Sequence, residues 1–216
     1  MNPSDVKAAM VASCRRLYDR NCLAAADGNI SVRLSDEQIL ITPSGVAKAF
    51  MNPGQMAVMT LSGQVLQGEP SGERQMHLAV YRNCPNARAV VHAHPPHAIA
   101  WSVIEPRHSE LPNDILSEVV LAAGRIPIVP YARPTTVDMG TQLEPFLPNH
   151  RLMILERHGA LAWGESLEEA TNGLERLEHS AQILWLASCL GPMRPLPAAE
   201  FEGLQKMRAK IGERLL

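Results

Sequence analysis

Aromatic side chains are scarce in this chain of 216 residues: three Tyr, three Trp and three Phe, or 4%. A surplus of positive charge is missing too. Lysine and arginine number 20 against 22 aspartates and glutamates, a net charge of −2 with neutral histidines, which argues against a dedicated nucleic-acid binder. No apolar run reaches the ~18 residues that a membrane-spanning helix needs. The start, Met1-Asn2-Pro3-Ser4-Asp5, has no basic patch followed by an apolar stretch. The expectation is a cytoplasmic chain without a secretory signal or membrane partner. Cys14, Cys22, Cys84 and Cys189 form no CxxC pair, so reduced thiols are expected rather than a disulfide framework or zinc knuckle. Internal repeats, low-complexity tracts and long Pro/Gly/Ser linkers are also lacking. At roughly 150 residues per domain the length permits one or two, and without a linker residues 1–216 read as a single domain. The hydrophobic content of 46% is ordinary for a globular protein. Eight histidines outnumber the tyrosines by more than two to one.

The periodicity predicts a helix over 4–23, with Val6, Met10, Cys14 and Leu17 on one face. Short strands are expected at 30–34, 38–42, 55–61 and 64–66, separated by Ser35-Asp36-Glu37, Pro43-Ser44-Gly45 and Ser62-Gly63. Such short turns imply antiparallel pairing. Helices are expected at 73–82, 97–104, 113–123 and 137–147, and strands at 87–94, 126–130, 151–157 and 160–163. The helix from Leu167 to Leu190 has 3/4 apolar spacing and a capping box of Ser166 with Glu169. A last helix starts near Ala198. This order predicts an α/β fold in three layers, α/β/α, with a central, largely antiparallel sheet.

The chemistry concentrates in Val90-Val91-His92-Ala93-His94-Pro95-Pro96-His97. Residues two apart on a strand share a face, so His92 and His94 present two imidazoles side by side, a pattern that suits a borderline metal such as zinc. A third ligand must come from elsewhere. His158 is the best candidate, since it also ends an apolar strand and Gly159 permits close backbone approach. His77 and His97 read as supporting or structural residues, and His108, His150 and His179 as solvent-facing. Glu73, after Pro70-Ser71-Gly72, could serve as fourth ligand and proton carrier, although a first-turn glutamate is also common for its effect on the helix dipole.

The ordered set Gly28-Asn29-Ile30-Ser31, Thr42-Pro43-Ser44-Gly45, Pro70-Ser71-Gly72-Glu73, His92-Ala93-His94, Pro130-Tyr131-Ala132 and His158-Gly159 resembles the class II aldolase/adducin-head family, and its L-fuculose-1-phosphate aldolase branch in particular. The resemblance covers about residues 5–190. It implies a divalent metal, usually zinc with manganese or cobalt as substitutes, held by His92, His94 and His158. It implies that Glu73 ligates the resting metal, moves off when substrate arrives and then carries a proton. It further implies a substrate phosphate held by Asn29, Ser44, Gly45, Ser71 and Gly72. Turn hydroxyls, turn N–H groups and the positive end of the helix after Ser71 suit an anion. The implied reaction is cleavage of a ketose 1-phosphate (fuculose-, ribulose- or 5-deoxypentulose-type) to dihydroxyacetone phosphate and an aldehyde, through an enediolate whose charge the metal offsets. The implied assembly is a homotetramer with sites between subunits.

Two departures stand against that pattern. The fuculose-phosphate enzymes use a tyrosine from a neighbouring subunit at the aldehyde end, whereas Leu111–Gly124 here contains none and offers Leu116, Ser117 or Glu118. The tail after Leu190 lacks tyrosine as well. Tyr18 and Tyr81 read as packing residues and Tyr131 as structural, so the distal acid/base is Glu118, another group, or absent. Gly72 also stands where the aldolases have a second serine. The same core supports decarboxylation of a phosphorylated 3-oxo sugar acid and dehydration of methylthioribulose 1-phosphate, and it cannot separate these from aldol cleavage. A 4-epimerase is disfavoured by its different acidic residue and additional C-terminal site. A non-enzymatic, adducin-like interaction module is disfavoured by the presence of all three histidines and Glu73.

Overall fold

Turn chemistry after each short apolar run folds the first half of the chain back on itself. The computed structural model describes residues 3–212 and 214–215. Strands β1 (Asn29–Arg33), β2 (Gln38–Ile41), β3 (Ala57–Thr60) and β4 (Val65–Gln67) pair consecutively and antiparallel. On the other side of β1 lies β5 (Ala89–Ala93), antiparallel and followed by β8 (Gly159–Gly164), then β7 (Leu152–Leu155). The edge strand β6 (Ile128–Val129) is parallel to β7. The spatial order of the 8-stranded sheet is therefore β4-β3-β2-β1-β5-β8-β7-β6.

Helices cover both faces, as the order of elements predicts. Helices α1 (Pro3–Asp19), α3 (Pro96–Trp101) and α5 (Leu167–Leu190) pack on one face, around Met10, Leu17, Ile30, Val91, Leu174 and Leu177. Helices α2 (Arg74–Asn83) and α4 (Asp138–Thr141) cover the other, around Ile39, Met59, Met76, Val90, Met139 and Met153. Alternation along β5 sends Ala89, Val91 and Ala93 to the α5 face and Val90 to the α2 face. His92, two residues beyond Val90, therefore belongs to the α2 face. The last helix, α6 (Ala198–Ile211), buries no residue fully and meets the 119–123 segment, where Arg208 Nη1 donates to the Leu121 carbonyl at 3.0 Å. Among the described residues no helix is long and apolar enough to cross a membrane.

Several boundaries differ from the expected ones, each for a local reason. Helix α1 stops at Asp19 because Asn21 takes φ 58° and the Cys22 N–H turns back to the Leu17 carbonyl at 2.8 Å. The helix expected over 113–123 is confined to 117–123 and ends in a π-helical turn, Val119–Ala123. Upstream the chain is irregular and bends at 114–115, with the Leu111 N–H on the Ile126 carbonyl and the Asp114 carbonyl taken by Leu196 N–H. The helix expected over 137–147 breaks into α4 and a 3₁₀ turn, Glu144–Phe146, because Pro145 has no N–H to donate. Only half of the expected capping box forms on α5. Ser166 Oγ accepts from Glu169 N–H at 3.0 Å, while the Glu169 carboxylate takes the N–H of Glu165 instead of that of Ser166.

Candidate metal centre

Strand register brings the key residues together. Asn29 on β1 lies directly opposite His92 on β5. His94 follows β5, His158 sits in the tight turn between β7 and β8, and Glu73 immediately precedes α2. The three imidazoles form a triangle with ring centroids 4.9 to 5.0 Å apart. One potential ligand atom from each lies within 4.8 Å of the others. Glu73 closes the set: its Oε1 is 3.0 Å from His158 Nε2 and its Oε2 is 3.3 Å from His92 Nε2. Gly159 is indispensable to this packing. A Cβ there would lie 2.5 Å from the Ala93 carbonyl, 2.8 Å from His92 Cε1 and 2.9 Å from His94 Cδ2.

The hydrogen-bond partners assign the tautomers. His92 Nδ1 lies 2.9 Å from the Ala160 carbonyl, which can only accept, so Nδ1 carries the proton and Nε2 bears a lone pair. His94 Nδ1 faces Asp27 Oδ2 at 3.3 Å, a neighbour that favours the proton on Nδ1 and the lone pair on Nε2. Burial, followed by the charges of His92 and His158, lowers the His94 pKa to about 4, so the ring is neutral near pH 7. The two Nε2 atoms stand 3.2 Å apart. Two lone pairs facing at that distance repel, and a cation between them turns the repulsion into ligation. The donor set thus fits a metal ion, with Asp27 and the Ala160 carbonyl orienting the rings from behind.

Glu73 is held by more than the histidines. Burial alone pushes its carboxyl upward, but the His158 and His92 rings beside it outweigh this and keep it far below the usual carboxylate range. Asn29 Nδ2 donates to Oε2 at 2.8 Å. Asn29 Oδ1 then faces the Nε2–H of His77 in a short contact. His77 Nδ1 accepts from Ser31 Oγ at 2.7 Å, and Ser31 accepts from the Tyr81 hydroxyl at 2.9 Å. Tyr81, Ser31, His77, Asn29 and Glu73 thus form one directional chain of donors inside the α2 face. His77 is fully buried, and burial lowers its pKa to about 3, fixing the neutral ring the chain requires.

Beside the cluster lies a cavity of about 160 Å³, whose walls include Asn29, Ser44, Ser71, Gly72, Glu73 and His94. Four of the residues expected to hold phosphate therefore converge there, while Gly45 follows at φ 66° with open space around its α-carbon. The N–H groups of Ser44 and Ser71 are already taken by the carbonyls of Glu69 and Thr42. The donors these serines offer are their hydroxyls rather than the backbone groups expected from turn chemistry. Ser71 Oγ accepts from Glu73 N–H at 3.2 Å, which leaves its own hydrogen to give.

Other expectations resolve individually. Glu118 is exposed on the 117–123 segment, outside the histidine–carboxylate cluster. His97 is structural: its Nδ1 lies 2.7 Å from Glu178 Oε1, and Glu178 also accepts from the N–H groups of His97 and Ala98 at the start of α3. His179 is exposed, but His108 and His150 are half-buried against Trp101 and Phe146 rather than free in solvent. Tyr81 is buried as expected, whereas Tyr131 is 53% exposed and lies outside the core. Asp27, Lys48 and Thr135 also line the cavity and were not anticipated. Only Asp27 carried a signal, in the turn-forming Asp27-Gly28 pair.

Residues 8–185 match the profile of the Class II Aldolase and Adducin N-terminal domain family. The 3-oxo-tetronate 4-phosphate decarboxylase of Escherichia coli O6:H1 is 34% identical over 195 residues, covering 87% of this chain and 89% of that one. The L-fuculose phosphate aldolase of Methanococcus vannielii is 32% identical over 170 residues, covering 79% and 90%. The crystal structure of YgbL from Escherichia coli superposes with a TM-score of 0.88 at 31% identity, covering 95% of this chain and 100% of that one.

Proposed function

The chain belongs to the Class II Aldolase and Adducin N-terminal domain family, and on that ground we propose that it is a metal-dependent carbon–carbon lyase that decarboxylates a phosphorylated 3-oxo sugar acid. The observation that carries the reading is the Glu73 carboxylate, poised between His92 and His158 at the edge of a cavity walled by Asn29, Ser44 and Ser71. His92, His94 and His158 would hold the ion, zinc by preference with manganese or cobalt as substitutes. Bound there, the metal would act as a Lewis acid that offsets the negative charge developing on the substrate oxygens.

Ser44, Gly45, Ser71, Gly72 and Asn29 hold the phosphate and so fix the position of the reacting carbons. When the C1–C2 bond breaks, its electron pair stays on C2, delocalised into the C3 carbonyl, and C1 leaves as carbon dioxide. Glu73, displaced from the imidazoles by the substrate oxygens, takes up a proton from solvent and delivers it to C2. With a tetronate skeleton the product is dihydroxyacetone phosphate. Asn29, held by His77, orients Glu73 for that transfer.

Aldol cleavage of a ketose 1-phosphate would pass through the same enediolate to the same three-carbon product. It would also need a base to remove the hydroxyl proton at the aldehyde end. Decarboxylation has no such requirement, because carbon dioxide leaves without giving up a proton. A stretch Leu111–Gly124 without tyrosine, and an exposed Glu118, suit the reaction with the smaller demand. The kinship to a relative named 3-oxo-tetronate 4-phosphate decarboxylase supports the same choice. Likeness to L-fuculose phosphate aldolase supports aldol cleavage as the second reading, with Glu118 as its distal acid/base. Dehydration of methylthioribulose 1-phosphate has no comparable support.

Product analysis on phosphorylated 3-oxo acids and ketose 1-phosphates separates these chemistries. The expected result is carbon dioxide and dihydroxyacetone phosphate in equal amounts from the acid. An aldehyde released from a ketose 1-phosphate, with no carbon dioxide from any acid, would replace decarboxylation with the aldolase reading. The proposed assembly is a homotetramer with sites between subunits, and a monomeric mass in solution would contradict it.

A further inference from the structure

Lys48 opens a 3₁₀ turn, Lys48–Phe50, and is only 3% exposed. Its Nζ donates to the Ala26 carbonyl at 2.6 Å and to the Val46 carbonyl at 2.8 Å. Both acceptors are neutral. An ammonium group has three donors, so one remains, and among the described residues no carboxylate pairs with it. Burial holds its pKa below the ordinary lysine value, and Cys14, Asp27 and Glu73 offset this only in part. A buried cation without a counter-charge is costly, and proteins rarely keep one without a partner.

Among the described residues the carboxylates that act on it, Asp27 and Glu73, form no ion pair with it, and the cavity they share with it has space for an anion. Lys48 is the sole lysine or arginine among the residues lining the 160 Å³ cavity. The hydroxyls of Ser44 and Ser71 and the amide of Asn29 supply only neutral donors there. A phosphate monoester carries about −1.5 to −2 charges at pH 7, which neutral donors in a half-closed cavity leave uncompensated.

We infer that Lys48 is the cation that binds the substrate's phosphate, with its third N–H directed to a phosphate oxygen beside Ser44 and Ser71. The ligand class is the phosphate monoester of a small sugar or sugar acid. The inference rests on the proposed function for the orientation of the substrate, phosphate in the cavity and reacting carbons at the histidines. A substrate carboxylate is the wrong occupant. It must lose its charge when it leaves as carbon dioxide, and a buried ammonium would stabilise it against leaving. The carbonyls of Ala26 and Val46 hold Nζ in place, so little side-chain freedom is lost when the anion arrives.

The test uses inorganic phosphate as probe, with acetate as the carboxylate control, in calorimetric titrations of the metal-loaded protein. Lys48→Met and Lys48→Gln should each weaken phosphate binding by at least about tenfold, the loss of one charge-assisted hydrogen bond. Metal content and melting temperature should stay close to those of the unaltered protein, and acetate should bind neither form measurably. Unchanged phosphate affinity in a folded variant overturns the inference, as does failure of the unaltered protein to bind phosphate. If neither variant folds, a crystal structure of the intact protein with phosphate decides. A phosphate oxygen within hydrogen-bond distance of Lys48 Nζ supports the inference, and phosphate seated elsewhere overturns it. Failure of the parent reading looks different. Lys48-dependent phosphate binding without turnover of any phosphorylated acid or ketose leaves Lys48 standing and removes the lyase. Normal turnover with an unaltered KM in Lys48→Met removes Lys48 and leaves the lyase.

Discussion

The two faces of the sheet are built from different materials. The α5 face is mainly apolar, with Met10 and Leu17 from α1, Ile30, Val91 and Ala162 from the strands and Leu174, Leu177 and Leu184 from α5, and its buried Thr171, Glu178 and Ser180 all belong to α5. The α2 face has an apolar floor, but Asn29, Ser31, His77, Tyr81 and His92 run through it, all buried. Each of these polar groups finds a partner within the chain. One face is therefore given over mainly to apolar burial, while the other gives up apolar area to hold Glu73 and the imidazoles in place. Substitutions on the two faces should accordingly separate stability from chemistry.

The largest effect is expected for His94→Ala, and likewise for His92→Ala. Metal content per chain should fall toward zero and all activity with it, as measured by elemental analysis. Metal retained in both variants would mean that the ligands lie elsewhere. Next comes Glu73→Gln, in which the three histidines keep the metal but turnover drops by roughly 10²- to 10⁴-fold, the usual cost of losing a positioned proton donor. Near-normal kcat would remove Glu73 from its role. On the opposite face, Leu177→Ala should cost about 2–5 kcal/mol in denaturant unfolding while the metal affinity of the folded protein is unchanged. A change in metal affinity would show that the faces are coupled. The smallest expected effect belongs to Ser31→Ala. Stranding the Tyr81 hydroxyl and His77 Nδ1 should cost about 1–3 kcal/mol, with a fall in kcat well short of that for Glu73→Gln. No change in either quantity would reduce the buried polar chain to filler.

Spacing made much of this visible before any coordinates. The His92/His94 alternation and the 3/4 pattern of α5 depend on local geometry alone, and both appear as expected. Gly159 was legible as a site of close approach, since a residue without a side chain beside a ligand has few other uses. Lys48 was not legible. In Val46-Ala47-Lys48 a lysine reads as surface, because lysines are almost never fully buried, and its burial depends on segments 24–28, 44–48 and 71–73 meeting in space. The break of the 137–147 helix was legible in principle at Pro145, but the apolar spacing around it hid the missing donor.

Gly159 also divides the labour within the centre. Its backbone lies against the Ala93 carbonyl and the rings of His92 and His94 with no room for a methyl group, so the turn carrying His158 is clamped to β5. The three imidazoles are in effect a fixed jaw, backed by the central strands on which the whole sheet depends. Glu73 sits outside that clamp, at the head of a separate helix, and reaches the imidazoles by its side chain alone. It is the movable jaw. On the proposed function, substrate exchange would require one side chain to swing rather than a ligand cage to open, and a bound ion would stay seated through every turnover.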